Sequence, residues 1–524
     1  MELAPYASLP ERALAALGER ARSFARMPPR EKAALLRATL PALLDAAPAV
    51  AAMVCGARGL DPTSPAAAEA WLAGVAPVVA YVRLLAEALE DIAANGRPSL
   101  PAAELRKRPE GRLVARLTPR TWAERAAQRG RETTVLFAEG TEPEDVIAAQ
   151  AAFYRQAEPE GGVALVLAAP GDATSGVMDA LFALFVEGRV ALLVAGPRGP
   201  TWALLERWLS PLVSRCFLLV VEADDEAVAL LAVQPPEAGV SAVLHAAPGN
   251  LGALLVVPCL YAADELGHLA RSVAAQVAHG AALDLVSPRL LVLPGGWLQR
   301  RLFLELLEKA FAAIPTRRAY LPGAAARHAQ LTGERADALR IGDTSDPKRL
   351  PWTIVPRLDG ADVSEPLFST DPGSSVISVV AMGSDDPLDF LRAATDFCNE
   401  RLTEARSAQI AVHPLHEEDP VIGAALEDAV IRLRCGAVGV NQWPALLAWA
   451  AAAPWGGHRG QGIGFRRNAR MLDGVDKAIL HGPLRSGRRP AYFAADAAAR
   501  RVAEQTAEFQ AAPSLRGAWS IAGR

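Results

Sequence analysis

Five thiols are spread along the 524-residue chain, at Cys55, Cys216, Cys259, Cys398 and Cys435. A thiol becomes a nucleophile or metal ligand only beside a base, a cation or a metal that favours the thiolate. Cys259 follows the apolar run 253–258 with no base nearby in sequence, so it reads as a buried, inert side chain. The five stand far apart and form no CxxC pair, which argues against a disulfide framework or a zinc knuckle and fits a reducing cytoplasm. His279 and Asp284 are close enough for an acid–base pair, but no Ser or Cys can be set beside them. His413, His416, Glu417 and Glu418 gather metal-binding groups without HExxH spacing, so a solvated loop after a strand is the plainer reading and no metal is expected. The run Gly460-Gln461-Gly462-Ile463-Gly464 offers backbone N–H groups to a phosphate, yet it does not join a strand to a helix N-terminus and reads as a structural loop.

The elements that must position these groups follow from hydrophobic period and punctuation. Residues 10–96 are rich in Ala, Leu, Glu and Arg, with Leu35, Leu36, Leu40, Leu43 and Leu44 at helical spacing, and predict three to five amphipathic helices. At 112–131 the apolar 113–117 predicts a strand among exposed arginines, either a surface hairpin or an oligomerisation ribbon. From 134 onward, short apolar strands alternate with helices at 134–137, 143–154, 163–169, 176–187, 190–195, 201–213 and 217–221. That alternation predicts parallel βα units and a doubly wound, Rossmann-type sheet, without the GxGxxG fingerprint. A second α/β unit continues through strands at 253–258, 289–293, 351–357, 374–380 and 409–412, with a last helix at 494–511 and a short tail.

Bulk properties limit the classes of function. A formal charge of -4 with 21% charged residues gives no electrostatic reason for nucleic acid or an anionic membrane as partner. The N-terminal residues carry acids and prolines where a signal peptide needs a basic start and an apolar centre. The apolar runs 177–186 and 190–195 are separated by Glu187, Gly188 and Arg189, short of the roughly 20 apolar residues of a membrane helix.

The stretch 437–485 is the most distinctive, with Val440-Asn441-Gln442-Trp443-Pro444-Ala445-Leu446, Pro454-Trp455-Gly456-Gly457, Leu472-Asp473-Gly474-Val475-Asp476-Lys477 and Gly482-Pro483. It resembles the closing segment of a bacterial branch of the aldehyde dehydrogenase superfamily. Phe185-Val186-Glu187-Gly188, Trp352-Thr353-Ile354-Val355-Pro356, Phe397-Cys398-Asn399 and Val412-His413-Pro414 match the same branch, so the resemblance covers the chain from about 133 onward. It implies an α/β fold of two Rossmann-type three-layer α/β/α domains with an oligomerisation ribbon. The expected divisions are a helical region and nucleotide-binding-like domain at 1–246, with the ribbon at 112–131, a catalytic-like domain at 247–455 and a closing segment at 456–524.

The chemistry of that superfamily uses a cysteine thiolate, an oxyanion-binding amide, a nicotinamide cofactor and a water-activating glutamate. Carried onto this sequence, the resemblance puts Leu285 at the cysteine, Ala247 at the glutamate, Gly171 or Asp172 at the amide and Val194 at the lysine that holds the adenosine ribose. Only Glu365, in Glu365-Pro366-Leu367-Phe368, keeps a family role, contact with the nicotinamide ribose, and an exposed surface acid is the competing reading. Four losses of the functional atom imply a catalytically degenerate protein, a cytoplasmic scaffold or regulatory partner that forms a dimer or other homo-oligomer, or a hetero-oligomer with an active paralogue. The alternative is an active NAD- or NADP-dependent aldehyde or acyl-CoA oxidoreductase with a rearranged site. A third reading keeps a ligand pocket without turnover.

Overall fold

The computed structural model describes residues 9–522 except 109, 169–172, 196–200, 223–239, 246–249, 283–286, 403–404, 455–467, 486–491 and 494–495. Two sheets dominate it. The smaller is fully parallel, in the order Leu218–Glu222, Val190–Ala195, Val163–Leu167, Val240–His245. The two central strands, Val163–Leu167 and Val190–Ala195, read as unbroken apolar runs because helices cover the sheet, which leaves no polar face to alternate with. Helix Leu9–Ala25 packs against it, as does Ala173–Phe185, and Phe24 meets Phe217 and Phe185 at centroid distances of 4.8 and 5.8 Å. Glu187-Gly188 ends helix Ala173–Phe185 at φ +70°, where a Cβ would lie 1.8 Å from the Phe153 ring. The glycine of that family-like wording is therefore a packing requirement.

The larger sheet has eleven strands. Its parallel centre runs Val475–His481, Ala437–Val440, Ser407–Ala411, Ala253–Val256, Leu290–Pro294, Val376–Met382, Trp352–Leu358, closed at one edge by antiparallel Leu339–Ile341. At the other side, Glu132–Phe137 pairs antiparallel with Val475–His481, followed by Leu113–Thr118 and Leu105–Lys107. Helices Pro387–Arg401 and Pro420–Arg432 start sharply because Asp386 and Asp419 accept two backbone N–H bonds each and a proline follows.

Several features differ from the sequence reading. Residues 134–137 do not open the Rossmann-type sheet; they join the larger sheet antiparallel, a pairing over long sequence separation that local pattern does not encode. The segment 112–131 is not one ribbon: only Leu113–Thr118 is extended, and a Thr121–Glu124 capping box starts helix Trp122–Gln128. The tail contains a further helix, Leu515–Ala522. Two helices, Pro29–Ala57 and Pro65–Asn95, are long and apolar enough to cross a membrane by length and composition, although neither is an uninterrupted apolar run in the sequence. In the second, 89% of the apolar window lies inside the protein, against 39% in the first, which also carries Pro41 and Pro48.

Candidate functional site

Leu285, Ala247 and Gly171, which the resemblance aligns with nucleophile, base and oxyanion donor, lie outside the described residues, as do Asp172, Asp284, Trp455 and the loop Gly460–Gly464. Their frame is described. Arg289, which leads into strand Leu290–Pro294, pairs with Asp371 at 2.9 Å, and both are largely buried. The backbone N–H of Asn250 donates to the same carboxylate at 2.8 Å. The Asn250 side chain then accepts from the Arg406 N–H at 2.8 Å and donates to Ser407 Oγ at 3.0 Å. These bonds tie together the entries to three neighbouring strands of the larger sheet.

Val194 sits near the end of strand Val190–Ala195, 1% exposed within the apolar core, so its side chain gives a ribose no donor. Glu365 is 9% exposed, which removes the reading as an exposed surface acid. Its Oε1 accepts from Arg335 at 2.5 Å and from the Leu367 N–H at 3.0 Å, capping the turn Pro366–Phe368. One oxygen of that carboxylate is thus committed to holding the fold.

All five cysteines are free. Burial pushes the thiols of Cys55 and Cys435 up to about 11 and Cys398 higher still. It also raises Cys216 and Cys259 above their ordinary value. A thiol raised by burial is almost wholly protonated at neutral pH and is a poor nucleophile.

The His413–Glu418 cluster is divided among structural bonds. His413 Nδ1 accepts from the Leu415 N–H, and its Nε2 lies 3.4 Å from Glu265. Glu417 bonds His481 and the Asn441 amide. Among the described residues, no group of three His, Cys, Asp or Glu side chains is arranged to hold a metal.

The Asn441-Gln442-Trp443-Pro444 corner is architecture. Asn441 adopts φ +56°, and its Oδ1 accepts from the Val412 N–H at 2.8 Å. A Cβ at Gly439 would lie 2.0 Å from the Gln442 carbonyl oxygen, so the corner closes only over glycine. Trp443 is fully buried, with ring contacts to His279, Trp449 and Tyr492. Lys477 of the Leu-Asp-Gly-Val-Asp-Lys run donates to the carbonyls of Val430, Ile431 and Leu433 at 3.0, 2.7 and 2.5 Å. It thereby caps the C-terminal end of helix Pro420–Arg432.

Sequence reasoning missed a buried ionic centre next to His279. Glu69, 2% exposed on the Pro65–Asn95 helix, accepts from Arg317 at 2.8 and 3.1 Å and from the Gly280 N–H at 3.0 Å. Burial by itself would raise its carboxyl; nearby positive charge, led by Arg317, overrides this and holds it below the ordinary range. Tyr320 donates to the Gly280 carbonyl at 3.0 Å. The signal was a lone acid in the apolar stretch 65–82, but nothing in the sequence indicated Arg317 as its partner. Glu69, His279 and Arg317 line a cavity of about 660 Å³, and a second of about 410 Å³ lies beyond Tyr492 and Asp496, which border both.

No protein-family model matches the chain, and no curated protein matches it. Solved structures do. Glyceraldehyde-3-phosphate dehydrogenase GapN from Methanocaldococcus jannaschii, complexed with NADP, is 12% identical over 92% of this chain and 96% of its own, at TM-score 0.59. Aldehyde dehydrogenase 21 from Physcomitrella patens, in complex with the reaction product succinate, is 13% identical over 89% of each chain, at TM-score 0.57. A mutant of aldehyde dehydrogenase C from Pseudomonas syringae, complexed with NAD+ and octanal, is 12% identical over 91% of this chain and 89% of its own, at TM-score 0.57. The protein has the aldehyde dehydrogenase fold.

Proposed function

We propose that this chain is a catalytically degenerate protein of the aldehyde dehydrogenase fold, a scaffold or regulatory partner that keeps a ligand cavity without thiol-dependent turnover. The observation that carries the reading is the state of the cysteines: burial raises all five thiols, whereas covalent aldehyde chemistry needs a thiolate. Val194, without a donor for a ribose, and Glu365, engaged by Arg335, support it. Leu285, Ala247 and Gly171, which the family resemblance aligns with nucleophile, base and oxyanion donor, belong to the same reading. So do a cytoplasmic setting and assembly with a second copy or an active paralogue.

The test is aldehyde oxidation by the full chain with octanal and NAD or NADP, compared with a variant carrying all five Cys→Ala substitutions. Both proteins should give NADH or NADPH formation indistinguishable from the protein-free control. Turnover abolished by a single cysteine substitution would overturn the proposal. Turnover that survives all five substitutions would favour an oxidoreductase with a rearranged site. Calorimetric titration with NAD and NADP separates these further, since micromolar affinity belongs to the oxidoreductase and not to the degenerate partner.

A further inference from the structure

The 660 Å³ cavity has the size of a small-molecule site. It lies between helices Ala263–Ala278 and Arg300–Ala312, the strand Arg317–Arg318 and the turn that leads into Pro65–Asn95. Ala275, Leu306, Ala310, Ile314 and Phe493 give it apolar walls. Its charges do not balance. Five cations line it, Arg271, Lys309, Arg317, Arg318 and Arg349, against three acids, Asp61, Glu69 and Asp496. Glu69 is answered by Arg317. Asp61 accepts from both the backbone and the hydroxyl of Thr63, and Asp496 accepts from the Ala498 N–H. On the cationic side, Arg349 lies 3.7 Å from Asp346. Arg271, Lys309 and Arg318 also face the cavity, and none of the three has an acidic partner within ion-pair distance among the described residues. Arg318 is seated by its neighbour: Gly59 stands at φ +64°, and a Cβ there would lie 2.9 Å from Arg318 Cδ.

We infer that the cavity binds an amphiphilic anion, an aliphatic body against the apolar walls with a carboxylate or phosphate head toward Arg271, Lys309 and Arg318. The inference rests on the reading that the cavity is kept for binding and not for thiol-dependent turnover. Aliphatic groups gain from leaving water, and a head between guanidinium and ammonium groups forms charge-assisted hydrogen bonds.

Calorimetric titration of the full chain with octanoate, octyl phosphate, octan-1-ol and inorganic phosphate tests it. At least one of the two anionic amphiphiles should bind roughly tenfold or more tightly than octan-1-ol and than inorganic phosphate, a difference of the size of a charge-assisted bond. The ratio of octanoate to octyl phosphate affinity identifies the head. A triple variant, Arg271→Ala, Lys309→Ala and Arg318→Ala, should lose that preference while keeping the parent melting temperature. A second variant, Ala310→Trp, should block both anionic ligands by filling the cavity. The proposal is overturned if octan-1-ol binds as tightly as the anions, if inorganic phosphate does, if none of the four binds, or if the triple variant keeps the preference. Cysteine-dependent oxidation of octanal would instead defeat the non-catalytic reading while leaving anion binding measurable by the same titrations.

Discussion

Among single residues, Lys32 is the most informative position outside the cavity. It is fully buried, its Nζ lies 4.7 to 5.0 Å from the ring centroids of Phe24, Phe153 and Tyr154, and its nearest acceptor is the Ala25 carbonyl at 3.4 Å. The ring faces attract the ammonium, but burial weighs more and lowers the amine from 10.5 to about 7. Between these values the unfolded chain binds more protons than the folded one, so this group's contribution to stability rises with pH from about 7 to 10.5 and is smallest below 7. Lys32→Met keeps the aliphatic volume and removes the charge. It should raise unfolding stability at pH 6 by about 2 to 4 kcal/mol and flatten the alkaline rise, both read from urea titrations at a series of pH values. Destabilisation at pH 6 would show that the rings outweigh desolvation. The raised thiols obey the same rule: the low-dielectric interior opposes whichever form carries charge.

In the helices and strands, the family-like motifs are explained by bonds that close the fold. Lys477 reaches three carbonyls at a helix end, Asn441 bridges to Val412, and Gly188 and Gly439 make room for Phe153 and Gln442. Lys477→Met leaves those helix-end carbonyls buried without a donor, at a cost of about 3 kcal/mol. The loss should appear as a lower urea midpoint and as faster amide exchange in the last turn of Pro420–Arg432. An unchanged midpoint would mean that water replaces the ammonium. Much of this was legible. The strands read at 253–258, 289–293, 351–357, 374–380 and 409–412 all lie in the larger sheet, whereas helix Ala324–Thr332 and strand Leu339–Ile341 between them were not read. The role of Lys477 was not, because its partners lie 44 to 47 residues away.

Across the whole molecule, one buried ion pair joins three distant parts of the chain. Glu69 in the N-terminal helical layer holds Arg317 and the Gly280 N–H, a separation of more than 200 residues. Glu69→Gln leaves the largely buried Arg317 guanidinium without its countercharge, which costs about 3 kcal/mol, the lower end for a buried pair because Arg317 borders the cavity. Exchange of the Gly280 amide should accelerate in that variant more than exchange in the smaller sheet. Equal acceleration everywhere would mean that the pair contributes only to global stability.

What depends on neighbours along the chain could be read in one dimension: an α/β architecture, the parallel strands of the larger sheet from 253 to 412, and the resemblance carried by 437–485. Hydrophobic period, caps and turn residues act over a few positions, so their signal stays local and visible. Folding was needed to bring 134–137 into the larger sheet, to pair Glu365 with Arg335 and to join Glu69 to Arg317. It also gathered Arg271, Lys309 and Arg318 around one cavity. Each of these depends on desolvation and charge pairing between segments that meet only when the chain folds, and spacing along the sequence carries no record of such a meeting.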